Sequence, residues 1–336
     1  MEVEQMKLTA YGTFGSIPVF VRGREIGGNT TCYRVNSACL PADTWLVLDA
    51  GSGYVPLCVD ALKAGVKRII VLLTHYHHDH TQGLLLGAAT YIKGIQVTLV
   101  GPKEDGWGPH LVLADIMKHP LHPRDFLQEA AHFVGPVALE YPQNHVLLFH
   151  REGGFKVLAV EAFERLCLSG AQIPFRRGQK FALAECLVVK MLRTEHPEKT
   201  ISYRFDEGPT DKSFVFMTDH SNLDGTSADL KEHLKDVDLL IQDVQYTRAE
   251  YDARTSGFGH GTPDYAVRLC NATGVCRVGF THHNFLSTDE QIMANVTAAQ
   301  ELAATIITQA VIAEEADRLL KPEGIFLVRD YMEIDV

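Results

Sequence analysis

Four imidazoles and a carboxylate fall within six residues at His75-Tyr76-His77-His78-Asp79-His80. Imidazole nitrogen and carboxylate oxygen are donors that zinc and its neighbours bind at about 2.0–2.2 Å. Histidines at i and i+2 in an extended segment can converge on one ion, as His75 and His77 are spaced to do. Asp79 and His80 can then face a second ion close by. As a solvated loop the cluster would repel itself on protonation, and packing does not require it. Metal binding is therefore the expected chemistry. Two ions about 3.5–4 Å apart can generate hydroxide at neutral pH and stabilise charge on the attacked centre, which points to hydrolysis.

Such donors need a rigid base. Residues 68–73 form a continuous apolar run leading straight into Thr74-His75, so the pattern predicts a buried strand with the ligands at its rim. Further strands are expected at 7–11, 44–48 and 95–100, a helix at 55–64 stopped by Gly65, and a helix from Thr81. The stretch 103–155 holds Pro109, Pro120, Pro123, Pro136 and Pro142 and reads as an irregular insertion with one helix near 124–133. Strands return at 156–162, 181–192, 201–205, 213–218, 238–242, 277–281 and 324–328. Helices are expected at 228–234, 262–273 and 289–320. Two strand-rich halves flanked by helices predict a four-layer αβ/βα sandwich, read as a single domain over 1–336.

Composition narrows the class. The 336 residues are 46% hydrophobic and 22% charged, ordinary for a globular protein, and no apolar run approaches the ~20 residues of a membrane span. The first residues lack the basic and apolar regions of a signal peptide, and the seven cysteines are scattered with no C-x-x-C pair. A cytoplasmic protein without a disulfide framework is expected. A formal charge of −11 disfavours an extended nucleic-acid surface but leaves room for a small phosphate substrate beside metal cations.

The segment Thr74-His75-Tyr76-His77-His78-Asp79-His80-Thr81-Gln82-Gly83 resembles the H-x-H-x-D-H signature of the metallo-β-lactamase superfamily. Gly12-Thr13-Phe14-Gly15-Ser16-Ile17-Pro18-Val19, Gly27-Gly28-Asn29-Thr30-Thr31-Cys32 and Asp49-Ala50-Gly51-Ser52-Gly53 are similar to the opening motifs of the subgroup named for phosphoribosyl 1,2-cyclic phosphate phosphodiesterase; ribonuclease Z is a more distant relative. The resemblance implies a metallo-β-lactamase sandwich and supplies distant ligands. His75, His77 and His196 would hold one metal. Asp79, His80 and His282 would hold the other, and Asp219 would bridge them with a hydroxide. His283 competes with His282, and His220 would stand behind the ligands. The resemblance also implies a phosphate-contacting or proton-donating role for His260, within Gly257-Phe258-Gly259-His260-Gly261-Thr262. Here Gly261 stands where relatives carry serine or threonine. His110, His119, His122, His132, His145 and His150 are assigned no role.

The expected cofactors are two divalent metal ions: zinc, with manganese and iron suiting the same donors. The expected reaction is hydroxide attack on a small cyclic or linear phosphodiester, with Asp79 orienting the nucleophile and His260 serving the leaving oxygen. Oxygen-reducing relatives carry a flavodoxin domain, tRNA-processing ones a basic protruding arm, and lactamases a signal peptide; none is visible here. Alternatives are a thioester or lactone hydrolase of the same fold, or a non-catalytic metal-containing regulator. The helix at 289–320 could pack on its own sheet or join two copies as a homodimer.

Overall fold

The computed structural model describes residues 5–129, 137–198, 200–309 and 318–336. The chain first lays down β1 (Lys7–Gly12), β2 (Cys32–Asn36), β3 (Thr44–Leu48), β4 (Arg68–Leu72), β5 (Gln96–Pro102) and β6 (Val137–Leu139). It then crosses to β7 (His145–His150) and β8 (Gly154–Ala159), forms a small ribbon from β9 (Ile173–Pro174) and β10 (Lys180–Phe181), and continues through β11 (Leu187–Thr194), β12 (Thr200–Glu207), β13 (Lys212–Met217), β14 (Leu239–Asp243), β15 (Val278–Thr281) and β16 (Ile325–Leu327). Finally β17 (Glu333–Asp335) returns to the first sheet. The sheet orders are β17-β1-β2-β3-β4-β5-β6 and β16-β15-β14-β13-β12-β11-β7-β8. In each, one flank is antiparallel and the other parallel: β3 to β6 in the first sheet, β13 to β16 in the second.

Strand periodicity makes the layers. In β3, Leu46 and Leu48 enter the core between the sheets, where they join Phe205, Phe214 and Phe216 of the second sheet. Trp45 and Val47 point the other way, onto the helix Tyr54–Lys63. A strand buried on both faces reads as an unbroken apolar run, which is how β3 and β4 stood out in the sequence. On the far side, Val215, Leu240 and Val278 pack beneath the helices Ala228–Leu234, Pro263–Thr273 and Asp289–Gln309. The order helix, sheet, sheet, helix is the expected four-layer α/β sandwich.

Several local expectations shift. The helix expected from Thr81 begins three residues earlier, and His78–Thr81 is already helical. The stretch read as an irregular insertion supplies β6 and β7, one strand to each sheet, besides the helices Pro109–Ile116 and Phe126–Glu129. The end of the helix expected near 124–133, with His132, lies outside the described residues; of the helix expected over 289–320, Asp289–Gln309 is helical, 310–317 lie outside the described residues, and 318–320 are not helical. The strand expected to run to 162 gives way to a helix, Val160–Ser169, closed by Gly170 at φ 64°. Among the described residues no helix is long and apolar enough to cross a membrane.

Candidate metal centre

The parallel strands of both sheets end on the same edge. There the backbones are tied across the layers: Ile201 N–H donates to Thr74 O at 3.0 Å, and Tyr203 Oη–H donates to Leu73 O at 2.7 Å. Past β4 come His75, His77, Asp79 and His80. His196 follows β11, Asp219 follows β13, and His282 follows β15. Asp49, Asp219 and His282 each take positive φ (54°, 49° and 59°), a sparsely populated region for such residues that costs about 1–3 kcal/mol apiece. The sharp bend swings each side chain off its strand and over the edge.

The donors gather in two groups that share a boundary. His75, His77, His196 and Asp219 can each place a ligand atom within 4.8 Å of the others, and so can Asp79, His80 and His282. Asp219 faces both groups with different oxygens. Its Oδ2 is 3.7 Å from His75 Nε2 and 3.9 Å from His196 Nε2, while its Oδ1 is 3.2 Å from both His80 Nε2 and His282 Nε2. Asp79 Oδ2 is 3.1 Å from His282 Nε2 and is held by the Ser16 N–H at 2.7 Å. These positions bring together every ligand expected from the sequence.

The surrounding bonds choose which imidazole nitrogen faces inward. His75 Nδ1 is engaged by Thr74 Oγ1 (3.0 Å), His80 Nδ1 by Asp49 Oδ2 (2.8 Å) and His196 Nδ1 by Gly259 O (2.9 Å), so each Nε2 is turned to the centre. Asp49 also accepts from Thr74 N–H and Thr74 Oγ1–H at 2.8 and 2.9 Å. Carboxylates and carbonyls behind a histidine fix its tautomer in this way at metal sites. Glycine is needed at 259: φ is 90°, and an added Cβ would lie 2.0 Å from His196 Nδ1. At Gly15 a Cβ would meet the His282 ring at 2.4 Å.

The donors fit a pair of cations. His75 Nε2 and His196 Nε2 are buried with no hydrogen-bond partner, an arrangement native structures seldom leave uncompensated. His80 Nε2 and His282 Nε2 face each other at 3.3 Å. Burial pushes His75 well below the ordinary histidine range. Burial alone would also lower His80, but Asp219, Asp79 and Asp49 outweigh it and hold His80 well above that range. Burial would raise Asp79 and Asp219, yet His80 and His282 keep Asp79 low, and His282, His80 and His75 keep Asp219 low. The carboxylates thus demand positive charge where the imidazole lone pairs converge.

The structure separates the paired histidines at 282 and 283. His283 Nε2–H donates to Val328 O at 2.8 Å, away from the centre. His220 Nε2 pairs with the Tyr265 hydroxyl at 2.8 Å, behind the ligands. His260 Nδ1 is bonded to Asp243 Oδ2 at 2.8 Å, and its ring stacks on His282 with centroids 5.0 Å apart. His260 also lies within ligand range of Asp219 and His282. His122 and His145 bond backbone carbonyls, and His150 stacks on Phe181.

Sequence reading missed three carboxylates. Asp49 and Asp243 hold His80 and His260, and Glu198 Oε2 lies 3.0 Å from His77 Nε2. For the first two there was a signal, an aspartate ending an apolar strand, shared with Asp219. Above the ligands opens a cleft of 790 Å³, lined by His77, His196 and His260 and by residues of the 246–258 and 284–286 segments.

The family model described as the β-lactamase superfamily domain matches residues 156–283. Among solved structures, unliganded yeast PDE1 is similar with TM-score 0.61 at 11% identity, covering 99% of each chain. The metallo-β-lactamase fold protein YhfI from Bacillus subtilis is similar with TM-score 0.56 at 14% identity, over 99% of this chain and 100% of that one. A diphosphatase from the PhnP family is similar with TM-score 0.55 at 15% identity, over 99% of this chain and 98% of that one. No protein of curated function matches the sequence.

Proposed function

The chain has the metallo-β-lactamase fold, and from that premise we propose that it is a hydrolase holding two divalent metal ions and cleaving a small phosphodiester. The observation that carries the reading is the placement of Asp219, with one oxygen toward each donor group. His75, His77 and His196 would hold the first ion, Asp79, His80 and His282 the second, with Asp219 between them. When bound, such ions supply Lewis acidity and lower the pKa of water.

The chain's own residues do the rest. Thr74, Asp49 and Gly259 keep the imidazoles in one tautomer. The Ser16 N–H orients Asp79. Asp243 occupies His260 Nδ1, leaving Nε2 for the cleft that His260 lines, where it can hold a proton for a leaving oxygen. Arg254 lines the same cleft and offers a cation to an anionic substrate. The similarity to a PhnP-family diphosphatase points toward phosphate chemistry. We place the protein in the cytoplasm, a reading supported by its seven free cysteines.

The test is to reconstitute the protein separately with zinc and manganese and assay bis(p-nitrophenyl) phosphate beside a thioester and a lactam. Metal-dependent phosphodiester cleavage that is lost in Asp79→Ala is expected. Thioester or lactam turnover alone would overturn the substrate class. No turnover of any of the three with two ions bound would favour a non-catalytic protein.

A further inference from the structure

The cleft above the metal donors is not uniformly polar. Phe258 is 58% exposed and Leu286 77% exposed, and both line it together with Tyr246 and Phe285. Phe258 stands between Gly257 and Gly259, at φ 92° and 90°, so the turn that delivers Gly259 O to His196 also carries the phenyl ring at the cleft wall. Tyr246 approaches the His260 ring edge-on at 5.8 Å between centroids. Exposed aromatic and aliphatic side chains gathered at one concave site mark a place where apolar ligand surface is buried.

The charges in the cleft are also sorted. The Glu250 carboxylate is occupied by the Thr247 N–H and hydroxyl at 3.0 and 2.9 Å, and Glu198 sits against His77. Arg254 lines the cleft beside them. An occupant is thus met by imidazoles and the Arg254 guanidinium at its anionic part, and by Phe258, Phe285 and Leu286 at its remainder.

We propose that the substrate's ester group is a planar, apolar or aromatic moiety seated against Phe258 and Leu286, which makes these two residues determinants of specificity. The inference rests on the phosphodiester reading and narrows it: a bare sugar or a short alkyl ester would leave this wall in water. Burying one ring face removes enough apolar surface to favour an aryl over a methyl group about tenfold or more.

Binding of phenylphosphonate and methylphosphonate to the zinc-loaded protein, followed by calorimetry, tests this without turnover. Wild type should prefer phenylphosphonate about tenfold. Phe258→Ser with Leu286→Ser should reduce the preference to within about twofold and leave methylphosphonate affinity unchanged. Both side chains are largely exposed, so the substitutions should spare the fold, and the unfolding temperature checks this. Equal binding of the two phosphonates to wild type, or an undiminished preference in the double variant, would overturn the inference while the phosphodiester reading stands. Failure of both phosphonates to bind would overturn the two together.

Discussion

Asp49→Asn should weaken the second metal site more than the first. Asp49 Oδ1 accepts from Thr74 N–H, and Oδ2 accepts from Thr74 Oγ1–H and from His80 Nδ1–H. Asparagine has nearly the same shape but only one acceptor oxygen. If that oxygen stays with Thr74 N–H, the new amide donates toward His80 Nδ1, and the imidazole must carry its proton on Nε2, the atom facing Asp219 and His282. If the amide turns over, two N–H groups meet at Thr74. The first orientation takes from His80 the partner that frees Nε2 for a metal, and the second keeps that partner only by setting two buried donors against each other. Disturbing such an outer partner typically costs 10–100-fold in metal affinity, about 1.4–2.7 kcal/mol. Titrating metal-free protein with zinc should give two tight equivalents for wild type, and one tight and one weakened equivalent for the variant. His75, whose Nδ1 is engaged by Thr74, belongs to the retained group. Two equivalents with both affinities within threefold of wild type would refute the idea that Asp49 sets the His80 tautomer.

His260→Ala should keep two ions per chain and lower kcat about 10²–10⁴-fold, the range for a lost proton donor; metal content falling toward one ion would instead make His260 a ligand. His233, buried and hydrogen-bonded to Ser202, tests the far side of the second sheet: burial and then Arg204 push it down to about 3 from 6.5. Its folded pKa lies below the unfolded value, so its stability contribution is full above pH 6.5 and is lost as pH falls toward 3. The loss is about 1.4 kcal/mol per pH unit, or about 2 kcal/mol between pH 6.5 and 5. In chelator, urea unfolding of His233→Gln should lose that much less than wild type over this interval; parallel curves would show that His233 takes up no extra proton on unfolding.

The parts legible in the sequence were those with a local signature. His75, His77, Asp79 and His80 announced themselves by density, and β3 and β4 by runs buried on both faces. The distant ligands came only through family resemblance, because one histidine after a strand has no local mark. His282 and His283 could not be separated by spacing at all: a bend at φ 59° decides which ring faces the centre, and the second ring finds Val328 O instead. The helix Val160–Ser169 was hidden because the preceding strand runs into it without a turn residue. The short edge strand Glu333–Asp335 is set by its pairing with β1, a contact far away in sequence. The apolar cleft wall, too, exists only after the 258 and 286 segments meet.

The donors are divided between the halves of the sandwich: His75, His77, Asp79 and His80 ride on the first sheet, and His196, Asp219 and His282 on the second. No disulfide joins the halves; all seven cysteines are free. An ion shared across that seam would act as a reversible cross-link, tightened or slackened by the free metal concentration around it. At a hundred times its dissociation constant each ion would add about 2.7 kcal/mol, a large fraction of what holds a typical domain together. Metal scarcity would then be felt first as a shortened lifetime of the folded chain, so that the abundance of the protein in its cell follows metal supply even when its substrate is absent.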